Sequence, residues 1–320
     1  MKAKAMLGGL LLAFMVVAQA QDYPSRAVKI VAPFGAGGLA DVLARAVGAK
    51  LHGSLGQPFV VENRPGAGGN VGADAVARAE PDGYTLLLTS AGILTINEFL
   101  YPKMPFDPAS AFVPITVVAD MPMLLVVRNN LEARDVKSFM ALAKSTPGGL
   151  FFGSPGHGTT GHLGMELFMH ATGLKLNHVP YKSAAEAVKA ALAGDTAAMF
   201  DNPPTVMAQI KAGGLRALGV AAKQRIPQLP DVPTISEGGV PGFEATSWFG
   251  LAAPAKTPRA IVDKLAAETA KALKDPEMQK RFGAVGARLV GNTPDQFAKM
   301  VVEERARWGN VIRSAGIKLQ

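Results

Sequence analysis

Two glycine-rich stretches carry the residues best suited to chemistry. In the first, Phe34 is followed by Gly35, Ala36, Gly37 and Gly38. In the second, hydroxyls from Ser154, Thr159 and Thr160 are interleaved with Gly156, Gly158 and Gly161 around His157. Each stretch follows a short apolar run and precedes residues at helical spacing. A glycine-rich turn at a helix start leaves backbone N–H groups bare where the dipole favours an anion. The absent Cβ atoms let a ligand approach the main chain closely. The chemistry indicated is capture of an anion by backbone amides and hydroxyls.

Other chemistries fit these residues less well. Gly35-x-Gly37-x-x-Ala40 matches a dinucleotide fingerprint, with Glu62 near the place of a ribose-binding acid. A second glycine loop and an export signal argue against that reading, and no cofactor is expected. Ser154 would need an activating base to act as a nucleophile, and the chain has no G-x-S-x-G elbow. His162, Glu166 and His170 recur every four residues, a chelating spacing that a plain polar helix face also produces; no metal is expected. His157 either donates to a carboxylate or packs its loop. Asp201, just before Pro203, either meets a second polar group of the ligand or caps the following helix. Asp41, in a first helical turn, is read as an acid that orders the first loop. Ser90 opens a third cluster of small residues past a strand end, and Trp248 and Phe249 line either a cleft or the core.

The elements that must position these groups alternate between strand and helix. Val28 to Val31 reads as a buried strand and the residues from Leu39 onward as a helix. Strands are expected at Pro58–Glu62 and Tyr84–Thr89, with a helix at Val71–Ala79 between them. A second series follows: strands at 150–153, 176–180, 197–200 and 215–220, and helices at 135–144, 161–171, 184–193 and 203–212. Such alternation predicts parallel sheets with right-handed crossovers. Four prolines in residues 226–242 mark a linker. A strand at 249–253 and helices at 258–273, 276–285 and 294–315 close the chain. The expected organisation is α/β with two lobes, residues 21–121 and 246–320 against 122–245, and the two glycine loops facing each other across a cleft.

Composition bounds the function. At 320 residues, 48% hydrophobic and 18% charged, the chain is globular with length for two domains. The formal charge of +8 is scattered without a basic stripe, which argues against a nucleic-acid partner. The absence of cysteine excludes disulfides, thiolate chemistry, cysteine-ligated metals and a lipid anchor on cysteine. Lys2 and Lys4, the apolar run Met6–Val17 and Ala18-Gln19-Ala20 form a secretory signal peptide over residues 1–20. Its apolar run is shorter than the ~20 residues of a membrane span, so a soluble, exported, periplasmic protein is expected.

Five ordered motifs, PFGAGGLADVLAR, VENRPGAGGNVGADAVARAEPDGYTLL, GSPGHGTTGHLGMELF, HVPYK and WFGLAAPAKTP, span the mature chain. Together they resemble the Bug-type extracytoplasmic solute receptors of tripartite tricarboxylate transporters. The resemblance implies a type II periplasmic binding fold: two lobes, a hinge and closure around one small ligand, usually a carboxylate. It further implies that the carboxylate is held by Phe34–Gly38 and Ser154–Thr160, through N–H groups, hydroxyls and bridging waters. Ser183 departs from the family, which usually has glycine after the Tyr181-Lys182 pair. The expected ligand-binding set is therefore Phe34, Gly35, Ala36, Gly37, Gly38, Ser90, Ser154, His157, Gly158, Thr159, Thr160 and Asp201. The partners implied are a small organic acid and membrane permease subunits, with a monomeric receptor. An exported enzyme acting on a small acid and a ligand-binding sensor are the alternatives.

Overall fold

The computed structural model describes residues 23–317, and the signal-peptide reading lies outside them. The chain opens with β1 (Val28–Ala32), α1 (Leu39–Leu55), β2 (Phe59–Asn63), α2 (Asn70–Ala77), β3 (Thr85–Ser90) and β4 (Phe112–Pro122). A second run comprises β5 (Leu124–Arg128), α3 (Val136–Ser145), β6 (Phe151–Ser154), α4 (Thr160–Thr172), β7 (Asn177–Pro180), α5 (Ala184–Ala193), β8 (Ala198–Asp201), α6 (Pro203–Lys211) and β9 (Leu215–Val220). The chain then returns through β10 (Thr246–Pro254), α7 (Arg259–Leu273), α8 (Pro276–Gly283), β11 (Arg288–Leu289) and α9 (Pro294–Ala315). None of the helices described is long and apolar enough to cross a membrane.

The strands form two sheets, in the orders β11-β4-β10-β3-β1-β2 and β7-β6-β8-β5-β9. Each is buried on both faces, which is why its strands read as continuous apolar runs. On β1, Val28, Ile30 and Ala32 enter one core with Leu43 of α1 and Leu265 of α7, while Val31 enters another with Val76 of α2 and Trp308 of α9. On β5, Leu125 and Val127 pack with Phe139 of α3, and Leu124 and Val126 pack with Ala187 of α5.

The sheets are mixed, not purely parallel. β1 pairs in parallel with β2 and β3, but β10 runs antiparallel to both β3 and β4. In the second sheet β5 is antiparallel to β8 and β9. The reason is the double crossing: β4 leads the chain out of the first sheet and β10 brings it back, so the two run oppositely. Both crossings meet at one point, where Met123 N–H donates to the Ala245 carbonyl (3.0 Å), Ala221 N–H to Met123 (2.8 Å) and Ala245 N–H to Ala221 (3.0 Å). Residues 226–242 are irregular but for a bridge between Val220 and Thr234.

Local signals set the helices that carry the loops. α1 starts from Gly38 and ends at Gly56, whose left-handed φ of 74° is an ordinary glycine C-terminus. α4 is capped by the Thr159 hydroxyl, which accepts from His162 N–H, and it also ends on a left-handed glycine, Gly173. Past Ser90 the chain forms a π-helical turn, Gly92–Ile96, against the same sheet end.

Candidate functional site

The N-termini of α1 and α4 approach each other between the two sheets, and the space between them is the candidate site. Its walls are Phe34, Gly38, Leu39 and Ala40 from the first sheet's side and Pro155, Thr159, Thr160 and Gly161 from the second's. Ser90, Ala184, Asp201, Asn202 and Phe249 complete it. A mainly apolar lining with few polar groups suits a small molecule. No lysine, arginine or histidine lines it. A negative charge placed here would be met by neutral donors and two helix dipoles.

The first-turn amides of both helices are the donors available. Among the described residues, the N–H groups of Leu39, Ala40, Thr160 and Gly161 have no backbone acceptor, whereas Val42 bonds Gly38 and Leu163 bonds Thr159. Helix geometry requires such orphans at every N-terminus. Here they face a cavity that both lobes enclose, with the Thr160 hydroxyl already turned to Ser247 of β10 at 3.1 Å.

Six of the twelve residues expected to bind ligand line this cavity: Phe34, Gly38, Ser90, Thr159, Thr160 and Asp201. The other six do not, and their hydrogen bonds explain several of the cases. Gly35 N–H donates across the lobes to the Lys182 carbonyl at 3.3 Å. Gly37 N–H donates to Asp41 Oδ2 at 3.0 Å. Ala36 sits between these two tied amides. The Ser154 hydroxyl is fully buried between the Gly156 backbone and His178. His157 lines a neighbouring pocket with Tyr101 and Tyr181, and a Cβ on Gly158 would press on Asn97 of the other lobe. The glycines before each helix thus shape the loops, and the bare amides belong to the first turn of each helix. Sequence reading passed over Leu39, Ala40 and Gly161; the signal that could have found them is their place in each helix's first turn. Trp248 is buried against Phe297, ring centroids 5.3 Å apart, while its neighbour Phe249 walls the cavity.

Asp201 is the one titratable side chain on the cavity wall. Oδ1 accepts from Asn202 N–H at 2.7 Å, and Oδ2 is buried without a partner. Burial pushes its pKa up to about 7, only partly offset by the Asn202 N–H. Asp41 behaves oppositely. Burial raises its pKa, but hydrogen bonds from Arg45, the Gly37 amide and Asn63 outweigh that and hold the carboxyl below its usual range. The loop is therefore ordered by an ionised acid. An Asp41→Ala variant should melt a few degrees lower at neutral pH. It should also lose less stability than the parent on acidification, because a depressed carboxyl loses its contribution as pH falls through its folded pKa. Thermal melts from pH 3 to 7 check both; parallel curves would refute the assignment.

Ser183 caps α5 by accepting from Glu186 N–H and is itself buried. A Cβ on Gly35 would stand 3.0 Å from the Ser183 Cβ, so the serine makes glycine at position 35 tighter. His170, in the spacing-based metal trio, is exposed and lies apart from the cavity.

A family model for the tripartite tricarboxylate transporter family receptor matches residues 43–317. Protein BugT of Bordetella pertussis is 39% identical over 302 residues, covering 94% of this chain and 93% of BugT. Among solved structures, Rpa4515 of R. palustris with adipate matches with a TM-score of 0.90 at 39% identity, over 93% of this chain and 100% of the other. MatC from Rhodopseudomonas palustris with bound malate matches with a TM-score of 0.88 at 33% identity, over 91% of this chain and 100% of the other.

Proposed function

The chain belongs to the tripartite tricarboxylate transporter receptor family and is a solute-binding receptor, not an enzyme; from that premise we propose that it captures one small carboxylate in the periplasm and hands it to membrane permease subunits. The observation that carries this reading is the pairing of two helix N-termini, one per lobe, around a cavity without a cationic side chain. One ligand carboxylate would accept from the Leu39, Ala40, Thr160 and Gly161 amides and the Thr160 hydroxyl, aided by waters; the Thr159 hydroxyl is spent on the Gly156 carbonyl and the helix cap. Phe34, Gly38, Ser90 and Phe249 would shape the wall, and Asp201 would meet a second polar group. The solved relatives with adipate and malate hold dicarboxylates, which supports a ligand with polar groups at both ends.

Capture works by closure. Residues 21–121 with 246–320 form one moving body and residues 122–245 the other, turning about Met123, Ala221 and Ala245. Two hydrogen bonds across the lobes support a closed arrangement here: Tyr101 OH donates to the His157 carbonyl at 3.0 Å, and Gln228 Nε2 to the Gly283 carbonyl at 2.7 Å. Neither lobe alone holds both helix N-termini, so neither half should bind. The receptor acts as a monomer, and residues 1–20 are removed on export.

A thermal-shift panel of carboxylates, amino acids, neutral amides and NAD tests the reading. A ligand at 100 times its Kd adds about 2.7 kcal/mol of stability, a clear rise in Tm. Stabilisation by carboxylates alone is expected. Stabilisation by NAD alone, or by neutral amides as strongly as by acids, would overturn it.

A further inference from the structure

The chain contains five histidines, and three converge outside the cavity. One ring nitrogen each from His157, His162 and His178 lies within 4.8 Å of the others. They come from three separate places: the second glycine loop, the first turn of α4 and β7. The rings of His162 and His178 stack at 4.2 Å, and His157 stands edge-on to both, at 5.5 and 4.8 Å.

Their unused nitrogens point to a ligand. Nδ1 of His157 and Nδ1 of His178 are buried with no hydrogen-bond partner, an arrangement that proteins generally avoid. In the tautomer that a metal requires, His178 donates from Nε2 to Ser154 Oγ at 2.6 Å, the hydroxyl passes its proton to the Gly156 carbonyl at 3.1 Å, and His178 Nδ1 keeps its lone pair. His162 turns Nε2 to Glu166 at 3.4 Å and leaves Nδ1 as an acceptor facing only the Gly158 amide at 3.3 Å. Imidazoles backed on one nitrogen by a hydroxyl or carboxylate are oriented as metal ligands are.

We propose that His157, His162 and His178 bind one divalent transition-metal ion of the class that prefers imidazole, with Zn²⁺ as the representative ion. Tetrahedral coordination at about 2.0–2.1 Å would bring the nitrogens to roughly 3.3 Å from one another, a closure of up to about 1.5 Å in which the stacked His162 and His178 rings turn so that their lone pairs converge. A water fills the fourth position. It faces the pocket beside His157, walled by Tyr101, Tyr181 and Glu186, which gives the ion its way in.

The test is calorimetric titration of Zn²⁺ into the full chain, purified without a polyhistidine tag, together with the absorption spectrum of the Co²⁺ form. One ion per chain is expected, with ligand-field bands of low-coordinate Co²⁺. His157→Gln, at a half-buried position, should weaken Zn²⁺ binding at least tenfold; His178→Asn should do the same. Melting curves confirm that each variant is folded. His170→Gln and His52→Gln, both exposed, should leave the titration unchanged. An absence of saturable binding, or binding that persists in folded His157→Gln, would overturn the proposal.

Discussion

A Gly68→Ala variant is expected to bind the carboxylate about a hundredfold more weakly while still folding. Gly68 lies on the seam between the lobes at φ 63°, and a Cβ built there runs into the His157 carbonyl oxygen and stands 2.9 Å from the Tyr101 hydroxyl. The obstructing carbonyl is backbone, so it cannot swing aside, and the lobes must part. Parting breaks the Tyr101–His157 hydrogen bond and weakens the Gly35–Lys182 bond, each worth about 1 kcal/mol. It also draws the two sets of helix amides away from one another. A hundredfold corresponds to about 2.7 kcal/mol, within reach of these losses together.

The left-handed backbone adds roughly 1–2 kcal/mol for alanine in the open and closed states alike, which lowers Tm without touching affinity. Gly213→Ala separates the two effects, since Gly213 has φ 75° and nothing within 4 Å of an added Cβ. It should lose stability and keep its Kd. Gly92→Ala carries no positive-φ strain but sets a Cβ 2.8 Å from the Gly158 carbonyl of the other lobe; about a tenfold loss is expected. Calorimetric titration of all three measures the contrast. Unchanged binding by Gly68→Ala would mean that the closed arrangement is not the one that holds ligand.

Asp201→Asn is expected to change the pH dependence of both stability and binding. With its folded pKa pushed up to about 7 by burial, against about 3.9 in an unfolded chain, Asp201 keeps its proton through a window where the unfolded chain has released it. Folding then binds a proton. This contribution is complete below about pH 4, declines as pH rises and is gone above about pH 7. Across the window the parent should lose about 1.4 kcal/mol per pH unit relative to the variant, so its Tm falls by several degrees while the variant's stays nearer level.

Binding follows the same group. Below pH 7 a protonated Oδ2 can donate to the ligand; above it, a buried carboxylate faces an anion and affinity drops. The asparagine variant keeps a donor at every pH, so its affinity should be flat from pH 6 to 8.5. Melting curves and titrations of parent and variant side by side decide the matter. Parallel profiles would show that Asp201 titrates elsewhere or does not face the ligand.

Much of this molecule is legible along the chain. Apolar runs bounded by Pro-Asp-Gly and similar turns become strands because each sheet is buried on both faces. Thr159, Thr293 and Asp135 cap their helices because a short polar side chain reaches the third amide ahead. These are interactions within a few residues, and the residues themselves state them. The two glycine loops and the family followed from the same reading.

The tertiary structure decided which amides remain free. Gly35 N–H goes to Lys182, a partner in the other lobe that no local pattern reveals, and Gly37 N–H goes to Asp41. The donors left over are therefore those of Leu39, Ala40, Thr160 and Gly161. The antiparallel course of β10 likewise follows from where a returning chain must enter, not from its composition. Histidine shows the same division. The four-residue spacing of His162, Glu166 and His170 suggested one cluster, but β7 brings His178, sixteen positions beyond His162, to the ring of His162, while His170 turns outward. Periodicity orders side chains along one element; only the packing of elements decides which side chains from different elements meet.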